Sequence, residues 1–201
     1  MTVDSRLRIG AWAALLVAIL APLQIVATFL AAHDADPLGS PSMRALGVAR
    51  VAAMLVAAIG LDGLFRSIAS SPARVVLACG VAGAAGILGL DALELGGLPS
   101  GALDTMLALI AAVLLAAWFI GGGAILISAG GDLARIGWPA QLGGLGIVAA
   151  GVAIAFRFGG PVGTGTSSID WFFLLGLFVI VYLVRIWRYV VGGRLPSPGV
   201  L

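Results

Sequence analysis

The chain alternates between long apolar runs and short polar breaks. A water-facing helix is apolar along one stripe, whereas a helix apolar on all sides belongs in a membrane or a deep core. The runs are about 20 residues long, and about 20 residues of helix cross a hydrocarbon core about 30 Å thick. Six such runs predict six transmembrane helices at about 9–32, 45–64, 75–95, 102–129, 136–156 and 169–191. The expected fold class is all-α, an integral membrane bundle of six transmembrane helices forming a single domain over 1–201.

The breaks between runs carry turn chemistry. HDADPLGSPSMR (33–44) holds two prolines, a glycine and two aspartates, and GGLPSG (96–101) closes the third run. The connector 65–74 contains Ser70-Ser71-Pro72, a turn or helix-start signal. A Gly/Thr/Ser-rich loop occupies 157–168. Pro22 interrupts the first run and frees a backbone carbonyl there. Pro139 is expected in the first turn of the fifth span, where proline costs least. Gly121-Gly122-Gly123 can tilt or bend the fourth. Gly80, Gly83, Gly86 and Gly89 recur every three residues in the third span, and Gly143, Gly144, Gly146 and Gly151 populate the fifth; small residues of this kind let neighbouring backbones approach.

Composition agrees with this reading. Hydrophobic residues make up 61% and charged residues only 10%, with mean hydropathy +1.16; soluble domains carry about 25% charged residues. Apolar residues 9–32 form too long a run for a cleaved signal peptide, so the first span is expected to remain. All eleven basic residues are arginine. Arg6, Arg8, Arg66, Arg74, Arg135, Arg185, Arg188 and Arg194 fall on the side of the N-terminus, and Arg44, Arg50 and Arg157 on the other. Positive residues near span ends favour the cytoplasm, so both termini are expected to be cytoplasmic, in a multi-pass protein of a bacterial inner membrane. Trp12, Trp138, Trp171 and Trp187 lie near the expected interfaces, as aromatic anchors do. The net charge of +2 follows from these arginines and makes no case for a nucleic-acid partner.

Scarcity excludes several chemistries. Cys79 alone allows no internal disulfide and no cysteine-ligated cluster. His33 is the only histidine, so one chain cannot build a bis-histidine haem site. His33 with Asp34 and Asp36 lacks defined metal-ligand spacing. Without lysine there is no Schiff-base chemistry. No catalytic residue, metal or cofactor is expected, and an intramembrane enzyme is the least favoured class.

Ionisable groups within a span are candidates for function. Arg50 lies about five residues inside the second span, and its side chain points back towards the nearer surface; a rim arginine reaching headgroups is the plain alternative. Asp91 and Glu94 are three residues apart on one face of the third span, and their side chains point into the bilayer. An ion pair between Arg50 and Asp91 or Glu94 is expected, and a purely structural pair is favoured over a ligand or proton site. Gln24 is placed to join them, or to bond the carbonyl freed by Pro22. Gln24, Arg50, Asp91 and Glu94 thus define a candidate polar pocket on the outer side. Asp104 reads as a helix cap, Asp62 and Arg66 as an i,i+4 surface pair, and Gln141 and Ser128 as groups satisfied by helix contacts.

The basic start before RIGAWAALLVAIL, the acidic loop after the first span, LDALELGGLPSG and GDLARIGWPAQLGGLGIVAAG together resemble the DUF4386-like group of six-span bacterial membrane proteins. The likeness covers most of the chain and implies the six-span architecture, with no activity attached. The leading functional expectation is a non-enzymatic membrane protein that binds a small or lipid-like ligand. Alternatives are a proton- or cation-coupled transporter or channel subunit using Asp91 and Glu94, and an accessory subunit of a larger membrane complex.

Overall fold

The computed structural model describes residues 3–30, 41–95, 102–157 and 167–193. Six helices account for nearly all of them: α1 Val3–Leu30, α2 Pro41–Ile68, α3 Ser70–Leu95, α4 Ala102–Ser128, α5 Gly131–Arg157 and α6 Ser167–Val191. The described residues contain no strand. Four segments are long and apolar enough to cross a membrane: Ser5–Gln24, Ala45–Ile68, Ser70–Leu93 and Met106–Ser128.

Each helix packs on its neighbour in sequence, α1 also packs on α6, and α2 touches α4 across the middle. The helices therefore form a closed ring in chain order. One end of this ring carries the start of α1, the α2–α3 and α4–α5 junctions and the end of α6, and it will be called the arginine-rich end.

Two junctions there are tighter than expected. The connector at 65–74 is almost wholly helical, with a break only at Ala69. Ala69 N–H donates to Phe65 C=O (2.9 Å) and Ala73 N–H to Ala69 C=O (3.1 Å), so helical bonding runs through the corner. Pro72 is accommodated because it falls in the first turn of α3, where its missing N–H has no intrahelical partner to lose. At the second junction Gly130 and Gly131 adopt φ of +75° and +55°, the left-handed conformation that glycine takes without a Cβ clash. That turn starts α5 at Gly131, five residues before the expected span. Pro139 consequently lies inside α5 rather than in its first turn. An interior proline withdraws the N–H that would bond the carbonyl four residues back, here that of Arg135. Arg185 Nη1, from α6, donates to that carbonyl at 2.9 Å.

Close approach of backbones sets the helix pairs. A Cβ at Gly10 would meet Gly60 Cα at 2.6 Å, which marks an α1–α2 crossing with backbones in contact. On α4 and α5, a Cβ at Gly123 would meet Gly137 C=O at 2.7 Å. Of the regularly spaced glycines in α3, Gly80 seats the Trp118 ring and Gly83 lies on the α4 backbone at Ala111 and Leu115. Gly86 faces Ala111, and Gly89 has nothing within 4 Å. Gly143 and Gly144 pack on Val179 and on Ile120, respectively; the side-chain surroundings of position 151 lie outside the described residues.

The core is concentrated towards the arginine-rich half. Trp118, Tyr182, Phe65, Phe119, Leu61, Leu126, Leu183, Ile186, Val17 and Val190 are fully buried, with Val17, Phe119 and Leu183 at the border of the other half. Three of the aromatics meet edge to face: Trp118–Phe119 at 4.8 Å, Phe119–Tyr182 at 5.7 Å and Trp118–Tyr182 at 6.5 Å between ring centroids. Such geometry pairs the positive edge of one ring with the negative face of the next.

Candidate functional site

The opposite half of the ring is not filled. Side chains from all six helices surround a cavity of about 460 Å³. Its wall takes Val17 and Pro22 from α1, Arg50 and Met54 from α2, and Ile87 from α3. Leu115 and Phe119 of α4, Ile147 of α5, and Ile180 and Leu183 of α6 complete it. The sequence explains why space remains. Glycine and alanine allow the helices to approach near Gly10–Gly60 and Gly123–Gly137, while Pro22 in α1 interrupts regular helix bonding where the cavity lies.

Among the described residues Arg50 is the one charged residue along this wall; the others that line it are apolar or glycine. A guanidinium carries five N–H donors and no acceptor. The cavity thus offers an apolar body with a donor-only cation at one position, and any polar group meeting Arg50 must accept hydrogen bonds. Pockets for small ligands commonly measure about 300–1,000 Å³, with mostly apolar walls and a few placed polar groups.

The expected polar residues occupy different positions around this space. Asp91 on α3 lies near enough for its charge to act on Arg50, which links α2 and α3 electrostatically beside the cavity. Gln24 is half-buried and lies over α2, its Nε2 3.6 Å from where a Cβ at Gly47 would stand. Neither Gln24 nor Asp91 lines the cavity. Glu94 falls in α3, but its side chain, like that of Asp104, lies outside the described residues, as do His33, Asp34 and Asp36 entirely. Among the described residues the pocket is therefore lined by apolar side chains and Arg50.

The remaining polar residues have local roles. Asp62 Oδ2 pairs with Arg66 Nε at 2.7 Å within α2. Ser128 Oγ donates to Ile125 C=O at 2.7 Å, and Gln141 packs its stem against Gly123. Trp12 and Trp138 are exposed, and Trp12 meets Trp187 edge to face at 5.4 Å.

Reasoning from sequence missed Val17, Met54, Leu115, Phe119 and Ile180 as cavity residues. Nothing distinguishes them from other apolar residues in evenly apolar helices. Pro22, which lines the cavity, was the available signal, because a proline inside a span leaves one backbone carbonyl without its helical donor. No family model, no curated protein and no solved structure matches this chain.

Proposed function

We propose that this chain is a six-span inner-membrane protein, with both termini in the cytoplasm, that binds an amphiphile in the half of the bundle away from its arginine-rich end. The ligand class is an acyl-like apolar body with a hydrogen-bond-accepting head, such as a carboxylate or phosphate. One observation carries the reading: a cavity built by all six helices whose only charged lining residue, among the described residues, is Arg50. Asp91 would hold the guanidinium in place while its remaining donors meet the head. The resemblance to the DUF4386-like group supports the same architecture.

The orientation rests on the arginine asymmetry. A C-terminal fusion to a fluorescent protein should fluoresce, and one to alkaline phosphatase should be inactive. The opposite pattern would place the C-terminus outside.

Transport through Asp91 and Glu94 is the competing reading, and it needs a polar path to the arginine-rich end. Phe119, Trp118, Tyr182 and Phe65 are buried and packed on that route, which favours binding over passage. The direct test is retention of dodecanoate by the purified protein, measured by native mass spectrometry. Leu115→Trp, which fills the cavity from its wall, should abolish retention. Arg50→Gln should weaken it more than about tenfold, since a hydrogen bond to a charged group is worth about 1.5–3 kcal/mol. Wild-type retention by Leu115→Trp would remove the cavity from the account.

A further inference from the structure

A second cavity lies at the arginine-rich end, in the cleft between the start of α5 and the end of α6. It measures about 510 Å³ and is lined by Asp132, Arg135, Ile136, Arg185, Arg188, Tyr189 and Gly192. Three arginines against one aspartate leave two positive charges in excess on its wall. Arginines at a helix C-terminus and at a cytoplasmic boundary have ordinary explanations in the helix dipole and in orientation. Those explanations do not require the three to converge, and Arg6, Arg8, Arg66 and Arg74 at the same end line no part of this cleft.

Arg185 is also preset. Its Nη1 is fixed on the Arg135 carbonyl that Pro139 strips of its helical donor. The guanidinium is thereby anchored in the cleft through one of its five donors. Asp132 approaches Arg135 at 3.9 Å, and its single carboxylate cannot balance three guanidiniums.

An apolar track continues from the cleft. Arg135, Trp138, Leu142 and Leu145 succeed one another at intervals of three or four along α5, which places them on one face of the helix. Trp138 is 57% exposed and Leu145 56%, and Leu142 is also exposed. The face thus begins at a guanidinium and continues as an exposed apolar stripe. Free phosphate would use only the first part of it. An anionic phospholipid would use both, its phosphate among the guanidiniums and an acyl chain along the stripe.

We infer that the α5–α6 cleft is a binding site for the phosphate headgroup of an anionic phospholipid, with Arg135, Arg185 and Arg188 as its ligands. The site is separate from the Arg50 cavity and does not depend on the function proposed for it. An arginine within reach of the headgroup contributes about a fivefold gain in affinity for anionic lipid.

The test is native mass spectrometry of the full chain in mild detergent, titrated with phosphatidylglycerol or phosphatidylcholine. The unaltered protein should retain phosphatidylglycerol in clear preference. Arg135→Gln with Arg188→Gln should lower that retention about twenty-fivefold, at two arginines of about fivefold each, and Arg74→Gln should leave it unchanged. Arg185 is kept, because it also bonds the backbone. Equal retention of the two lipids by the unaltered protein overturns the inference without any variant. So does wild-type retention by the double variant, or an equal loss in Arg74→Gln. Displacement of phosphatidylglycerol by equimolar inorganic phosphate would identify a free-anion site and overturn the lipid assignment.

Discussion

Gly60→Leu is expected to prevent α1 and α2 from docking. A Cβ at Gly60 would stand 2.6 Å from the Gly10 backbone nitrogen and 2.9 Å from the Arg6 carbonyl oxygen. These are backbone atoms, and no rotamer change can move them aside. Overpacking commonly costs about 1–3 kcal/mol when side chains can yield; here two helices must separate, so a loss beyond that range is expected against a typical total of about 5–15 kcal/mol. The cavity should be lost too, since α1 and α2 supply Val17, Pro22, Arg50 and Met54 to its wall. Gly89→Leu is the matched control, because a Cβ there meets nothing within 4 Å, and its effect should stay within about 0.5 kcal/mol. The midpoint of unfolding as dodecyl sulfate is added to mild-detergent micelles, followed by helicity, compares them. Equal midpoints for the two variants would show that the α1–α2 crossing is not a close backbone contact.

Trp118→Ala should also destabilise the bundle, for the opposite reason. Among the described residues Trp118 is the largest fully buried side chain, 1% exposed, and its ring is seated on Gly80. Removing a buried tryptophan costs about 3–5 kcal/mol through lost contacts and the void left behind. Gly80 has no side chain with which to close that void. Part of the cost is offset, because Trp118 Nε1 is buried without a hydrogen-bond partner, and such an orphan carries about 1–3 kcal/mol. The net loss is therefore expected near or below the lower end of the range. Trp118→Phe keeps a ring on Gly80 and removes the orphan N–H, so it should retain most of the stability. In the same unfolding titration, equal loss in both variants would mean that ring packing is not what Trp118 contributes. The position also bears on the cavity: Phe119, which lines it, rests edge to face on Trp118 and Tyr182. Alanine at 118 should soften that boundary and weaken dodecanoate retention in parallel.

The reach of the sequence differs between elements. The number of helices was legible because each polar break, such as GGLPSG, interrupts an apolar run at bilayer spacing. Their ends at the arginine-rich side were less so. Ser70-Ser71-Pro72 reads as a connector, yet a proline in a first turn is equally a helix start, and tertiary packing selects the second meaning. The same extension moved Pro139 from the first turn to the interior of α5, which exposed the Arg135 carbonyl and gave Arg185 its partner. Arg50 was legible as a candidate because a charge within a span stands out. Its apolar companions in the cavity were not.

By itself the sequence determined that the chain is helical and apolar along lengths that cross a membrane, which ionisable groups are available, and which chemistries its single cysteine, single histidine and missing lysine exclude. Only the tertiary structure decided which faces turn inward, that the cavity wall is apolar around one arginine, and that Arg135, Arg185 and Arg188 meet in one cleft. The reason is physical. In water, a helix separates apolar from polar residues, and its periodicity records its inward face. In lipid both faces are apolar, and packing is settled by shape, by small residues and by a few hydrogen bonds. Hydropathy therefore reports that four of these helices are long and apolar enough to cross a membrane, while the crossing at Gly10 and Gly60 and the bond from Arg185 to Arg135 report how they fit together.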